Sequence, residues 1–159
     1  MDLSHYGAPN FVIEELVPPK LLENHGSHRC LQLLDHRIIT LAQFNKDYLS
    51  AHFGEEIKVI INNYKWGGER KLSGLRPFDC QIGSSLSQHK FGRALDCQYK
   101  RGVNGEKIPA DVVRDVINQD PESWLNAGLT TIENGEFAPT WVHQDIRATG
   151  LDHIFIVEP

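Results

Sequence analysis

The sequence has no long hydrophobic run, no excess of basic residues and no even set of closely spaced cysteines. No stretch approaches the roughly 18 consecutive apolar residues of a membrane helix, and the N-terminus lacks the basic and apolar regions of a secretion signal. A net charge of -5 argues against nucleic acid or an anionic membrane as partner, since both attract a basic protein face. Cys30, Cys80 and Cys97 are an odd number at wide spacing, which favours free thiols in a reducing compartment. We therefore expect a protein made in the cytoplasm without an export signal or a membrane span.

The length of 159 residues suits one domain around one hydrophobic core. Residues 1–28 are rich in Pro, Gly, Asn and His and predict an N-terminal arm packed across the domain. Apolar residues near a 3.6 period predict one amphipathic helix from Arg29 to Phe53, ended by Gly54. A second helix is expected from Pro109, and residues 118–126 either continue it or form another. Strands are predicted at 57–61, from 94, and at 129–133, 140–146 and 154–157. The expected class is α+β, with helices on one face of a mostly antiparallel sheet.

The segment Ser87–Asp96 contains two potential metal ligands. His89 and Asp96 lie seven residues apart, and Gly92 between them lets the backbone turn without a Cβ penalty. Ala94 and Asp96 share one face of the strand that is predicted to start there. A ligand from a turn and a ligand from the adjoining strand can therefore point at one metal ion.

A third potential ligand, His143, lies in the segment Trp141–Arg147. Strand alternation places it on the same face as Asp145. A single histidine is more often structural than a ligand, but two imidazoles, one carboxylate and an open fourth position form the donor set of a catalytic Zn2+ site. The sequence therefore predicts that one Zn2+ is bound by His89, Asp96 and His143.

These segments resemble the zinc peptidases of the D-alanyl-D-alanine carboxypeptidase type, which share a metal-site fold with the Hedgehog signalling domain. The family pattern Ser-x-His-x-x-Gly-x-Ala-x-Asp is matched at Ser87, His89, Gly92, Ala94 and Asp96. A hydrophobic residue followed by His comes far downstream in the family, and here it is Val142-His143. The wider run from Asn62 to Ser87 resembles the phage-encoded branch. The resemblance covers roughly residues 10–147, and it identifies residues 29–159 as the zinc peptidase-like domain.

The resemblance implies hydrolysis of a peptide bond in bacterial peptidoglycan or its precursor, either D-Ala-D-Ala or L-Ala-D-Glu. We expect an endolysin-like monomer that acts on a peptidoglycan peptide at the cell wall or within a phage particle. The alternative is a non-catalytic, zinc-containing binding module or virion component. This alternative is favoured by one departure from the family, because the Glu-x-x-His and His-x-His patterns at the last ligand are absent.

A zinc peptidase also needs a general base, which the family supplies shortly before the last ligand. Thr140 and Trp141 occupy those positions here and cannot serve. Glu133 stands where Hedgehog-type domains carry their glutamate, so the resemblance favours it as the base. Glu136 in the following loop and Asp145 on the ligand's face are the alternatives. Asp145 could instead form a salt bridge or support the ligand from behind.

Arg76 resembles the family arginine that engages substrate oxygen atoms, because a guanidinium presents a rigid fork of donors. A solvated loop arginine is the competing interpretation. Arg93 lies on the opposite strand face from Asp96 and is expected to be structural. Ser87 is expected to form a hydrogen bond within the turn or behind the ligands.

Overall fold

The N-terminal segment is part of the hydrophobic core. A computed structural model describes residues 1–102 and 105–158. Two short strands pair antiparallel, and two helices follow: β1 (Asp2–Leu3), β2 (Ala8–Val12), α1 (Pro19–His25) and α2 (Ser27–Leu31). Leu3, Ile13 and Leu16 are fully buried. Residues 1–28 therefore contribute both regular structure and core side chains to the domain.

A break separates α2 from α3 (His36–Phe53), where the sequence pattern predicts one continuous helix from Arg29. The Asp35 carboxylate accepts a hydrogen bond of 3.1 Å from the main-chain N–H of Arg37 and caps the start of α3. A capping side chain of this kind competes with helical continuation, so the prediction of a single helix is wrong here. Gly54 adopts the left-handed conformation and ends α3 where the sequence predicts.

Two helices follow in the second half of the chain. Helix α4 (Ala110–Gln119) begins directly after Pro109, in agreement with the predicted helix start. Helix α5 (Pro121–Asn126) is separate, because Asp120 is not helical and its carboxylate accepts a hydrogen bond from the N–H of Ser123. Of the two possibilities for residues 118–126, a second short helix is therefore correct. Among the described residues, no helix combines the length and the apolar character that crossing a membrane requires.

The main sheet contains six strands: β3 (Ile57–Ile60), β4 (Ala94–Arg101), β5 (Lys107–Ile108), β6 (Thr131–Glu133), β7 (Val142–Asp145) and β8 (Phe155–Val157). Their order is β3-β4-β7-β6-β8, with β5 beside β4. Neighbouring pairs within the described chain are antiparallel except β6 and β8, which run parallel. The predicted α+β class is confirmed, and the parallel edge strand makes the sheet mixed.

The two faces of the sheet have different surroundings. Helix α3 packs against the face that carries Tyr99, whose hydroxyl donates a hydrogen bond of 2.9 Å to Asn45 on the helix. Asn45 also exchanges hydrogen bonds with the buried side chain of Gln144 on β7. Because successive strand residues point to opposite faces, Asp96 and His143 lie on the other side of the sheet. The core thus occupies one face and leaves the other to the candidate site.

Candidate metal centre

Asp96 and His143 stand directly opposite each other on the neighbouring strands β4 and β7. Paired residues of an antiparallel sheet project to the same face, with their Cβ atoms about 5 Å apart. Here His143 Nδ1 lies 2.9 Å from Asp96 Oδ1, although 47 positions separate the two residues in sequence. The strand register therefore brings two of the predicted ligands together.

His89 reaches the same point from a one-turn helix, Gln88–Phe91, that directly precedes β4. Gly92 ends this turn with φ +65°, and a Cβ at that position would collide with the main-chain carbonyl of Leu33. His89 Nε2 lies 3.3 Å from His143 Nδ1 and 3.2 Å from Asp96 Oδ1. All three predicted ligands thus meet at one place.

The spacing of the three donor atoms suits a metal ion. Two ligands that bind one ion tetrahedrally at about 2.0–2.1 Å are roughly 3.3 Å apart. The three donor separations are 2.9, 3.2 and 3.3 Å, so only small adjustments would admit an ion between the atoms. The buried group could therefore bind a metal ion, and its ligands would be His89, Asp96 and His143.

Both imidazoles are oriented from behind. His89 Nδ1 lies 2.7 Å from the carbonyl oxygen of Gly74, so Nδ1 donates its proton there and Nε2 presents a lone pair to the site. His143 Nε2 lies 3.1 Å from Oδ2 of the fully buried Asp145, which leaves Nδ1 for the site. Arg147 in turn binds the Asp145 carboxylate, with Nη2 2.5 Å from Oδ2. Hydrogen-bonded partners of this kind fix the ring orientation of metal-ligating histidines.

The charges of the three donors are strongly coupled. Burial lowers the pKa of His89 below its ordinary value, although Asp96 opposes this effect. Burial also disfavours charge on Asp96, but the two neighbouring histidines outweigh it and hold the carboxyl pKa well below its usual range. Burial opposes protonation of His143 as well, yet hydrogen bonds to Asp145 and Asp96 raise the pKa of His143 to about 9. A metal ion would therefore compete with the proton of His143.

Arg76 is anchored within the site. Its Nη2 lies 2.6 Å from Asp96 Oδ2, and its Nε donates a 2.7 Å hydrogen bond to the carbonyl of Leu72. The side chain is only 11% exposed, so the interpretation as a solvated loop arginine is wrong. The two oxygens of Asp96 are thus divided, with Oδ2 on the arginine and Oδ1 facing the histidines.

A cavity of about 470 Å³ lies over the three donors, and Glu133 forms part of its wall. Thr131 and Ile132 pair with Asp145 and Gln144, so the same register places Glu133 opposite His143 on the sheet. Burial raises the pKa of Glu133. Asp96, His143 and Glu133 therefore lie side by side on neighbouring strands beneath the cavity.

The remaining predicted residues have different positions. Glu136 lies exposed in the turn after β6 and does not line the cavity. Ser87 lines the cavity, and its carbonyl accepts a 2.9 Å hydrogen bond from the N–H of Lys90 within the turn. Arg93 lies 3.5 Å from Asp35, away from the ligands. Asp145 makes both structural contacts that the sequence suggests, a salt bridge with Arg147 and a hydrogen bond behind the ligand His143.

Arg114 of α4, which no sequence pattern singles out, is a buried arginine that holds the segment between β6 and β7. Its Nη2 donates hydrogen bonds of 2.7 Å to the carbonyls of Ala138 and Trp141, and its Nε binds the carbonyl of Glu133 at 3.3 Å. Nη1 pairs with Asp111 one helical turn earlier. The only signal in the sequence is a charged residue beside apolar ones in an amphipathic helix, because main-chain acceptors leave no pattern.

Comparison with known proteins finds no family model that matches the chain, and no curated protein or solved structure matches it at a significant level.

Proposed function

We propose that the chain is a zinc-dependent peptidase that hydrolyses a peptide bond of bacterial peptidoglycan or its precursor. The observation that carries the proposal is the convergence of His89, Asp96 and His143 beneath an open cavity that Glu133 also lines. Structural zinc sites are closed by four protein ligands, whereas catalytic sites have three and an open position. Three donors below a cavity therefore favour catalysis over the alternative of a non-catalytic zinc module.

Zn2+ is the proposed ion because two imidazoles and one carboxylate suit a borderline-soft metal. When it is bound by such ligands, zinc supplies Lewis-acid polarisation of a carbonyl and an activated water near neutral pH. The resemblance to the D-alanyl-D-alanine carboxypeptidase family adds the substrate class. The bond would be D-Ala-D-Ala or L-Ala-D-Glu.

We assign the proton transfers to Glu133. Its carboxylate takes a proton from the attacking water, whose hydroxyl goes to the scissile carbonyl carbon. The same carboxyl then gives the proton to the nitrogen as the C–N bond breaks, so that the products are an acid and an amine. Burial raises the pKa of Glu133, which suits a group that must both accept and donate a proton.

Arg76 is proposed to orient the substrate. Its Nε and Nη2 are occupied by Leu72 and Asp96, and no described residue accepts a hydrogen bond from Nη1. Arg76 lines the cavity, so the N–H groups of Nη1 are available for the scissile carbonyl. A fixed donor aimed at an oxygen that gains negative charge stabilises the transition state.

The proposal is tested by incubating the zinc-loaded protein with defined peptidoglycan peptides and identifying products by mass. We expect release of D-Ala from a peptide ending in D-Ala-D-Ala, or cleavage between L-Ala and D-Glu, and loss of either activity with a chelator. The matched control is Glu133→Gln, which should bind the peptide without cleaving it. Zinc-dependent binding without products from the wild type would instead support the non-catalytic module.

A further inference from the structure

Arg147 follows β7 and forms part of the wall of the same cavity. Its Nε binds both oxygens of Asp145 at 2.9 and 3.0 Å, Nη2 binds Oδ2, and its main-chain N–H donates to Oδ1 at 3.1 Å. Asp145 is fully buried and is also bound by His143. The guanidinium is therefore held in one orientation by an anion that is itself fixed.

One edge of this guanidinium remains available. Among the described residues none accepts a hydrogen bond from Nη1 of Arg147, and the side chain is 33% exposed. A planar guanidinium with N–H groups to spare at a cavity wall is suited to a second carboxylate. The acidic side chains of Glu133 and Glu158 on the same wall repel anions. Arg76 also lines the cavity but is assigned to the scissile carbonyl, which leaves Arg147 to bind a carboxylate.

We propose that Arg147 binds the α-carboxylate of the amino acid that hydrolysis releases, an inference that rests on the proposed peptidase function. In D-Ala-D-Ala, the carbon next to the scissile nitrogen carries a free carboxylate. The same is true of L-Ala-D-Glu when the D-Glu residue continues the peptide through its side-chain carboxyl. Both candidate bonds thus share one feature, and the substrate class is a peptide whose leaving residue bears a free α-carboxylate.

The test compares each substrate with its carboxamide, which removes the negative charge and keeps the size. Peptides ending in D-Ala-D-Ala and L-Ala-D-Glu peptides are each assayed as the acid and as the amide at that α-carboxyl. The proteins are the wild type, Arg147→Ala, Arg147→Lys and Arg37→Ala, all with verified zinc content. Arg37 is the matched control because its main-chain N–H, Nε and Nη2 likewise bind an aspartate two residues earlier, Asp35, and because it does not line the cavity.

We expect the wild type to prefer the acid by about 10- to 100-fold in kcat/KM, the range for a hydrogen bond to a charged group. Arg147→Ala should remove this preference, Arg147→Lys should restore part of it, and Arg37→Ala should retain it fully. An arginine that only supports Asp145 would, when removed, slow both substrates alike and leave the ratio unchanged. An unchanged ratio of kcat/KM for acid and amide in Arg147→Ala overturns the inference, and so does equal use of acid and amide by the wild type. Neither result contradicts the proposed peptidase activity.

Equilibrium binding separates this inference from the peptidase itself. The acid and amide of each peptide are titrated calorimetrically into the same zinc-loaded proteins. If nothing is cleaved but the acid binds more tightly and only when Arg147 is present, the peptidase fails and the carboxylate site stands. If the preference for the acid persists in Arg147→Ala, the metal is the anion site and the inference is overturned. If neither form binds or is cleaved, both are overturned.

Discussion

His143 is held from behind by Asp145, with Nε2 of the imidazole 3.1 Å from Oδ2 of the carboxylate. The carboxylate is fully buried and is clamped by Arg147, so the ring orientation is fixed before any ligand binds. A carboxylate in this position raises the basicity of the opposite ring nitrogen, which here is Nδ1. Asp145 and Arg147 therefore influence how tightly His143 can bind a metal ion, although neither is a ligand.

Asp145→Asn should lower the affinity for zinc by roughly 10- to 100-fold, because outer partners of ligating histidines contribute on that scale. The substitution keeps the shape of the side chain, and circular dichroism will show whether the fold is retained. Affinity is measured by competition with a chelator of known strength. Asp35→Asn is the control, since it weakens the equivalent pair with Arg37, and neither of these residues lines the cavity. Equal affinities in the two variants would contradict the role given to Asp145.

Glu133→Gln should keep the zinc and the fold but reduce kcat by roughly 100-fold or more, the usual effect of losing a general base. Gln conserves size and hydrogen bonding, so that only the proton transfer is removed. Turnover is measured on the peptide that the wild type cleaves. Glu136→Gln provides the comparison, because Glu136 is exposed outside the cavity and should retain full turnover. If Glu136→Gln is the inactive variant, the base has been assigned wrongly.

Glu15 should make stability depend on pH. Burial raises its pKa from 4.5 to about 7, although the hydrogen bond from the N–H of Val12 opposes this shift. A carboxyl whose pKa is higher in the folded than in the unfolded protein binds extra protons in the folded state between these values. Its contribution to the free energy of unfolding therefore decreases as pH rises through that window. Relative to wild type, Glu15→Gln should gain stability between about pH 4.5 and about pH 7.

The neighbouring Glu14 supplies a control of opposite sign. Burial disfavours its ionisation, but the ion pair with Lys65, a main-chain hydrogen bond and the N-terminal ammonium together outweigh burial and lower its pKa. Its stabilisation is present above the unfolded pKa and is lost as pH falls. Glu14→Gln should therefore lose stability relative to wild type at neutral pH and less so in acid. Urea unfolding at about pH 4.5 and about pH 7 gives the free energy of unfolding of each variant relative to wild type. If this difference changes with pH in the same direction for both variants, the assignment to Glu15 is refuted.

Local patterns in the sequence predict much of the candidate site. The turn at Gly92 and the alternation from Ala94 to Asp96 depend on neighbouring residues, so the positions of His89 and Asp96 follow from their spacing. Placing His143 on the same face as Asp145 needs only the period of a strand. The strand of Glu133 was also predictable, and its antiparallel pairing with β7 brings the carboxylate to the cavity.

Contacts between distant residues could not be predicted in this way. The salt bridge from Arg76 to Asp96, the carbonyl of Gly74 behind His89 and the three carbonyls bound by Arg114 all join segments far apart in sequence. Main-chain acceptors are present at every residue, so nothing in the sequence marks those that are used. The break before α3 has a related reason. Hydrophobic periodicity continues across Asp35, but the helix is interrupted by the capping hydrogen bond of its carboxylate and by the hydrogen bond from its N–H to the carbonyl of Gly92.

We propose that His89, Asp96 and His143 together hold one zinc ion. The most direct measurement is the metal content of the purified protein and of His89→Ala, Asp96→Ala and His143→Ala after zinc loading and removal of excess metal. We expect about one zinc per chain in the wild type and in the control His25→Ala, which changes an exposed histidine, and a large loss in each ligand variant. Full occupancy in all three ligand variants, or no zinc in the wild type, would contradict the account.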